Sequence, residues 1–386
     1  MKYFNKFSAM PRNFKLVVLA SFLVMFGFGI YNATYYNFIT NVIKIGPEQL
    51  GILESFREIP GLLMVFFGLL TSRLPDRTTG IISALIAAVG FSAYMSVNGI
   101  ENLILWTFTW SVGMHIWFPL QSALILSFAP NGKDGKYAGF SSSVTAVAQV
   151  CGMGIVFLVA TKLSYMWWYC FVAVFMILAA IILMLVPVHV GEKNRAPLAF
   201  KKKFRHYYVL TFFEGCRKQV FITFAVYVLT KEFATPVKII ALLMTLNNVL
   251  NIFGYPLIGR LADKIGERAI LQISYFMLIF VYLGYAFAKD VKILYAMYIL
   301  DNIFYFSTIC LTTYVKKLSD GNELLTALST GQTFNHLAAC LVPIIGGYAW
   351  KTYGYSFTFI GGIAIVLMSF FYARFVPSKI GENYGK

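Results

Sequence analysis

Charged side chains are scarce in this sequence. Asp, Glu, Lys and Arg together make up 12% of its 386 residues, about half of the roughly 25% usual in soluble domains. A chain so poor in charge cannot cover a water-facing surface, and a hydrophobic content of 59% fits a membrane protein instead. Cysteine is sparse too. Cys151, Cys170, Cys216, Cys310 and Cys340 lie in apolar runs without a CxxC spacing, which speaks against a disulfide framework and for small buried side chains. No nucleotide-binding loop, HExxH or CxxCH is present. A primary pump or membrane enzyme therefore finds no support, and no cofactor or resident metal is expected. The alternating ten-residue segments of a membrane β-barrel are also missing.

Long apolar runs dominate what remains. A hydrocarbon core about 30 Å thick needs roughly 20 such residues per helix. Twelve runs follow one another, from 16–40 to 355–376, mostly with short loops. The longest polar stretch, "VGEKNRAPLAFKKKFRH" at 190–206, falls mid-chain. The expected fold is an all-α integral membrane protein of twelve transmembrane helices in two six-helix bundles, 1–189 and 207–386, joined by the linker 190–206.

Acidic residues number 16 against 32 basic ones. With a cytoplasmic N-terminus, 22 of the 32 fall in inside loops and tails, 7 outside and 3 within helices. Both termini and the linker are thus expected in the cytoplasm of a multi-pass plasma (inner) membrane protein. The net charge of +16 then reflects topology and contact with anionic lipid heads, and nucleic-acid binding is not expected. The first apolar run is too long for a cleaved signal core and reads as a retained start-transfer helix.

The two halves repeat each other. "RLPDR" after the second run aligns with "RLADK" after the eighth, and "NGKDG" after the fourth with "DGNEL" after the tenth, at nearly one offset. Such a register argues for parallel repeats. The stretch "GRLADKIGER" (259–268) resembles the signature loop of the major facilitator superfamily, and "VPIIGG" (342–347) a Pro-Gly pattern of its eleventh helix. The first-half loop is a degraded copy, with Ser72 in place of glycine. The fifth run lacks the Gly-Pro motif of many drug–proton antiporters, which weakens a drug-efflux reading. The resemblance implies a secondary transporter whose halves rock around a central site, with the third, sixth, ninth and twelfth helices facing lipid. It also makes Arg73, Asp76, Arg77, Arg260, Asp263 and Arg268 candidates for a conformational latch, since Asp beside Arg at a helix end forms charge-assisted contacts. Ordinary inside-positive charge is the alternative explanation of the same residues, and the two copies at matching positions favour the latch.

Charge inside a membrane helix costs at least ~2.5–3.5 kcal/mol and marks function or pairing. The interiors of the third, sixth, ninth and twelfth runs carry none. The second run holds Glu54, Arg57 and Glu58 at i, i+3 and i+4, and the seventh repeats the spacing with Glu214, Arg217 and Lys218. Arg57 and Arg217 each lie about 14–15 Å from a helix end, close to mid-membrane. Two readings stay open: structural ion pairs, or cations that clamp a substrate carboxylate or phosphate. On the second reading Arg57, Arg217 and Lys218 hold a small or medium organic anion. His115, His336, Tyr31, Tyr35, Asn247 and Gln332 would line the site. Glu54, Glu58, Glu214 and Asp301 are candidates for proton coupling, with Asp301 and Glu58 foremost; a counter-substrate is the other coupling considered. The histidines serve equally well as core hydrogen-bond partners, and the amides as links between helices. Export of amphipathic or cationic compounds, or divalent-metal transport through His336, Cys340, Cys216 and the acids, are the alternatives. The expected partners are a small-molecule substrate and the bilayer, and the chain is expected to be a monomer.

Overall fold

The computed structural model describes residues 10–64, 66–67, 74–130, 134–159, 162–188, 200–319 and 323–377. Every regular element among them is helical. In chain order they are α1 (Arg12–Phe38, extended by a π turn Ile39–Ile43), α2 (Pro47–Leu62), α3 (Asp76–Ala93), α4 (Ile100–Ser127), α5 (Asp134–Val159), α6 (Tyr165–Met184), α7 (Arg205–Lys231), α8 (Val237–Ile265), α9 (Glu267–Phe287), α10, α11 (Glu323–Tyr353) and α12 (Tyr355–Tyr372). Helix α10 comes in two pieces, Val291–Tyr305 and Ile309–Leu318, joined by a 3-10 turn at Phe306–Thr308. Each helix corresponds to one of the twelve apolar runs. Nine of the described helices are long and apolar enough to cross a membrane; α2, α7 and α11 are not among the nine. Two of those three, α2 and α7, are the helices interrupted by the charge triplets.

The chain divides into two compact units. The first comprises Met1–Ile43, Ile59–Asn194 and Pro236–Thr245; the second comprises Lys44–Glu58, Arg195–Thr235 and Leu246–Lys386. Two stretches thus pack with the unit opposite to their half of the sequence: the start of α2 and the start of α8.

In the first unit α1 packs on α5 and α6, and α3 on α4 and α6. Small residues set the crossings, because apolar bulk offers no driving force between helices in lipid and close backbone approach does. A Cβ on Gly29 would stand 2.5 Å from the Gln149 carbonyl oxygen, and one on Gly152 would stand 2.2 Å from that of Phe26. Between these helices lies an aromatic core. Tyr31 sits 4.8 Å from Trp110, 5.1 Å from Phe91, 6.3 Å from Tyr94 and 6.5 Å from Tyr169. The Trp110 indole donates to the Tyr94 hydroxyl at 3.1 Å, which also meets Thr107 Oγ1 at 2.5 Å.

In the second unit α7 packs on α11 and α12, and α9 on α12 and α10. The segment 44–58 docks on α11 and α7 through its backbone. A Cβ on Gly51 would lie 2.2 Å from the Pro343 carbonyl oxygen, and one on Gly347 would lie 2.4 Å from that of Pro47. The Ser55 hydroxyl donates to the Cys340 carbonyl (2.6 Å), the Tyr227 hydroxyl to the Ile45 carbonyl (2.7 Å), and Lys351 pairs with Glu48 at 3.0 Å. The "VPIIGG" glycines therefore mark docking surfaces of α11: Gly347 faces α2, and Gly346 lies against the Phe224 ring of α7. A side chain at Gly347 should overpack this contact and cost about 1–3 kcal/mol. Gly361→Ala, which meets open space, should be neutral or slightly stabilising. Thermal melts of detergent-solubilised Gly347→Val and Gly361→Ala would check this; equal melting points for the two would overturn it.

Gly266, in the signature stretch, has φ +87°. A side chain is strained there, and this residue alone separates the end of α8 from the start of α9.

Candidate functional site

Helix α7 carries its charges on a face that the second unit buries. Arg217 is 1% exposed, and Glu214 and Asp301 are each 5% exposed. Glu214 stands one turn before Arg217 and accepts from its Nη2 (2.5 Å) and Nε (3.2 Å). Asp301 arrives from α10 and accepts from Nη1 at 2.9 Å. The guanidinium carbon lies 5.3 Å from the centre of the Tyr305 ring, one turn beyond Asp301 on α10, so the cation also meets an aromatic face. Behind it, the Tyr282 hydroxyl of α9 donates to the Arg217 carbonyl at 2.7 Å. Tyr282 is itself held where α12 comes close, since a Cβ on Gly362 would meet its ring at 2.2 Å.

The charge balance of this triad is uneven. Two carboxylates face one guanidinium in a site with almost no solvent contact, which leaves one negative charge in excess when both acids are ionised. Desolvating an unpaired carboxylate costs several kcal/mol. The triad thus ties α7 to α10 through a buried, charge-assisted contact.

A second cluster of the same composition lies on α2. Arg57 Nη1 is 2.6 Å from Glu54, its Nη2 is 3.1 Å from Glu58, and Glu58 lies 3.4 Å from His336 Nδ1 of α11. Glu54 is fully buried, whereas Arg57 and Glu58 are each 15% exposed. Here too two acids face one arginine, with the His336 imidazole beside them.

The other sequence candidates have various settings. Lys218 is half-buried and makes no hydrogen bond or ion pair among the described residues. Tyr31 and Tyr35 are each 1% exposed, Tyr31 within the aromatic core above and Tyr35 at 5.0 Å from it. Their hydroxyphenyl groups thus take part in the packing of the first unit. His115 Nδ1 lies 2.9 Å from the Ser111 carbonyl and 3.0 Å from its hydroxyl. Asn247 joins an amide ladder between α8 and α10: it donates to Tyr298 O (3.5 Å), while Asn302 donates to Asn247 O (3.3 Å) and Asn251 Oδ1 (3.0 Å). Gln332 is exposed on α11.

The latch candidates divide similarly. Arg73 lies outside the described residues. Asp76 is buried in the first turn of α3, where the helix dipole favours an acid, and Arg77 donates to the Val186 carbonyl beyond α6 (3.1 Å). In the second unit Arg260 and Asp263 are exposed, Arg268 is half-buried, and none of the three forms an ion pair among the described residues. The buried contact at that end is a different one. Lys317 of α10 pairs with Glu267, the first residue of α9, at 2.5 Å. Glu267 stands inside the signature stretch, yet nothing in its spacing names Lys317, 50 residues on. Tyr282 and Tyr305 were equally silent in sequence, although Tyr305 shares a helix face with Asp301 at i, i+4.

Comparison with known proteins follows from this architecture. No curated protein sequence matches the chain. Among solved structures, the nucleoside transporter NupG superposes with a TM-score of 0.76 at 16% identity, covering 94% of this chain and 98% of its own. A bacterial homolog of the human lysosomal transporter Spinster, inward-facing and occupied, gives 0.76 at 14% over 94% and 96%. A D-xylose-proton symporter gives 0.73 at 14% over 96% and 98%. At these identities the likeness concerns the fold. The Major Facilitator Superfamily model matches the sequence twice in succession, over residues 17–213 and 207–383, in keeping with the internal repeat and the twelve helices, and the chain belongs to that superfamily of membrane transporters.

Proposed function

We propose that this protein is a proton-coupled secondary transporter of a small polar solute, working by alternating access. The observation that carries the reading is the buried Glu214–Arg217–Asp301 triad, in which two acids share one guanidinium. A site that holds a proton in one conformation and releases it in another is what coupling to a proton gradient needs. The α2 cluster of Glu54, Arg57, Glu58 and His336 has the same make-up and adds a second place where a proton can reside. A D-xylose-proton symporter shares the fold, which is compatible with this reading at the level of architecture. The charge distribution supports an orientation with both termini and the 190–206 linker in the cytoplasm of the plasma membrane.

The test is solute uptake into proteoliposomes with and without an imposed pH gradient, across a panel of nucleosides, sugars, peptides and organic anions. A solute concentrated only when the gradient is present supports the proposal. Uptake that equilibrates but never concentrates, whatever the gradient, overturns it.

For the substrate's charge, one observation favours an anion. Each arginine is matched by two carboxylates, so neither guanidinium has spare charge for a ligand. Lys218 is half-buried beside the triad in sequence and has no partner among the described residues. On this reading Lys218 is the group that meets a substrate carboxylate or phosphate. Lys218→Gln is then expected to raise the KM for an anionic solute by about ten- to a hundredfold, the worth of one charge-assisted hydrogen bond, with an unchanged melting temperature. An unchanged KM would leave the proton-coupled reading standing and remove the anionic substrate.

A further inference from the structure

The start of α7 and the end of α12 meet at one end of the second unit and carry five cations: Lys201, Lys202, Lys203, Arg205 and Arg374. Phe204 anchors the approach to α7, fully buried and 6.2 Å from the Tyr208 ring. The preceding 3-10 turn, Lys202–Phe204, has three residues per turn, so Lys202 and Arg205 line up on one side. Both are exposed. Glu323, the first residue of α11, is occupied by two other lysines, Lys201 at 2.8 Å and Lys203.

His206 ties the two helix ends together. Its ring stacks on Phe375 at 5.1 Å with planes 10° apart, its Nδ1 lies 3.1 Å from the Tyr372 hydroxyl, and its Nε2 accepts from Arg205 Nε at 3.2 Å. Burial first, and then the adjacent Arg205, hold this imidazole below its ordinary value, so it serves as a neutral acceptor and aligns Arg205. Arg374 follows on the next turn of chain, its guanidinium 5.0 Å over the Phe371 ring. The segments 200–206 and 372–377 contain no acid. Three exposed rings border the cations: Phe200 (65%), Phe371 (52%) and Phe375 (59%). In a chain that crosses a bilayer, cations framed by aromatic rings at helix ends stand at headgroup level.

We propose that Lys202, Arg205 and Arg374 form a binding site for the headgroup phosphate of an anionic phospholipid, whose acyl chains lie along Phe371 and Phe375. The forked guanidiniums suit a phosphate, and the exposed rings offer chains a surface that a soluble anion would not use. This site is independent of the proton and substrate readings above.

The test uses the purified, delipidated full chain in a neutral detergent, with melting and native mass spectrometry as readouts. Phosphatidylglycerol is expected to raise the melting temperature more than phosphatidylcholine, while inorganic phosphate at the same concentration leaves it unmoved. Each cation removed should weaken phosphatidylglycerol binding about fivefold. K202Q/R205Q/R374Q should therefore lose nearly all of the specific shift and the retained lipid. K289Q/K292Q, at the connection between α9 and α10, should keep both. Should the triple variant fail to fold, R374Q and K202Q singly give the same reading at smaller amplitude. Equal shifts in wild type and the variants overturn the site, and an equal response to inorganic phosphate overturns the lipid as its occupant.

Discussion

Asp301→Asn proteoliposomes should exchange internal for external solute at close to the wild-type rate and yet fail to concentrate it under a pH gradient. Of the two acids on Arg217, Asp301 is held by a single contact at 2.9 Å, whereas Glu214 lies one turn away on the same helix and accepts twice. The contact from α10 is the one that a movement between helices can break, and breaking it exposes a carboxylate to a new environment and a new proton affinity. Asparagine keeps the shape and a hydrogen-bonding oxygen but cannot be deprotonated, so the triad becomes a neutral Glu214–Arg217 pair that never needs a proton. On the proton-coupled reading exchange, which returns the carrier loaded, survives, and net accumulation, which then requires proton release, does not. Accumulation by Asp301→Asn equal to wild type would place coupling elsewhere. The α2 cluster, probed by Glu58→Gln, would then be the next candidate.

Arg217→Gln should be strongly destabilising. It leaves Glu214 and Asp301 facing each other in a site where both are about 5% exposed. Removing one partner of a buried ion pair costs about 3–5 kcal/mol, because the remaining charge loses both water and counter-ion. The loss should be largely recovered in Glu214→Gln/Arg217→Gln/Asp301→Asn, where no charge is left to compensate. Arg217→Lys should fall between, since an ammonium keeps the charge but cannot reach both acids as a fork does. Melting temperatures of the four detergent-solubilised proteins decide this. A melting point for Arg217→Gln within error of wild type would show that the triad holds nothing together. If the triple variant is folded but does not transport, the triad has a role beyond structure.

Several features are legible in the sequence alone. Apolar runs fix helices in lipid because each backbone group must be satisfied within its own segment, so length and hydropathy alone count the spans. The charge triplets on α2 and α7 stood out for the same reason: an ionised group inside such a run has to be paired or used. Their i, i+3 partners, Glu54 with Arg57 and Glu214 with Arg217, follow from helix geometry. Other readings were ambiguous. Tyr31 could face a ligand or a core, and the answer depends on whether Phe91, Trp110 and Tyr169 close over it, which three other helices decide.

The sequence by itself determined the membrane class, the twelve helices, the repeat and the identity of the embedded charges, since all of these depend on local pattern within one helix or loop. The tertiary structure alone decided which charges meet. Asp301 has no basic residue within two turns on its own helix and finds Arg217 across 84 positions; Glu58 finds His336, and Glu267 finds Lys317, while Arg260 and Asp263 of the signature stretch stay exposed. Contacts between helices depend on their rotation, depth and separation, and these are set by where glycines such as Gly51, Gly347 and Gly362 let backbones and rings approach. No periodicity along one helix encodes the partner that a neighbour presents to it.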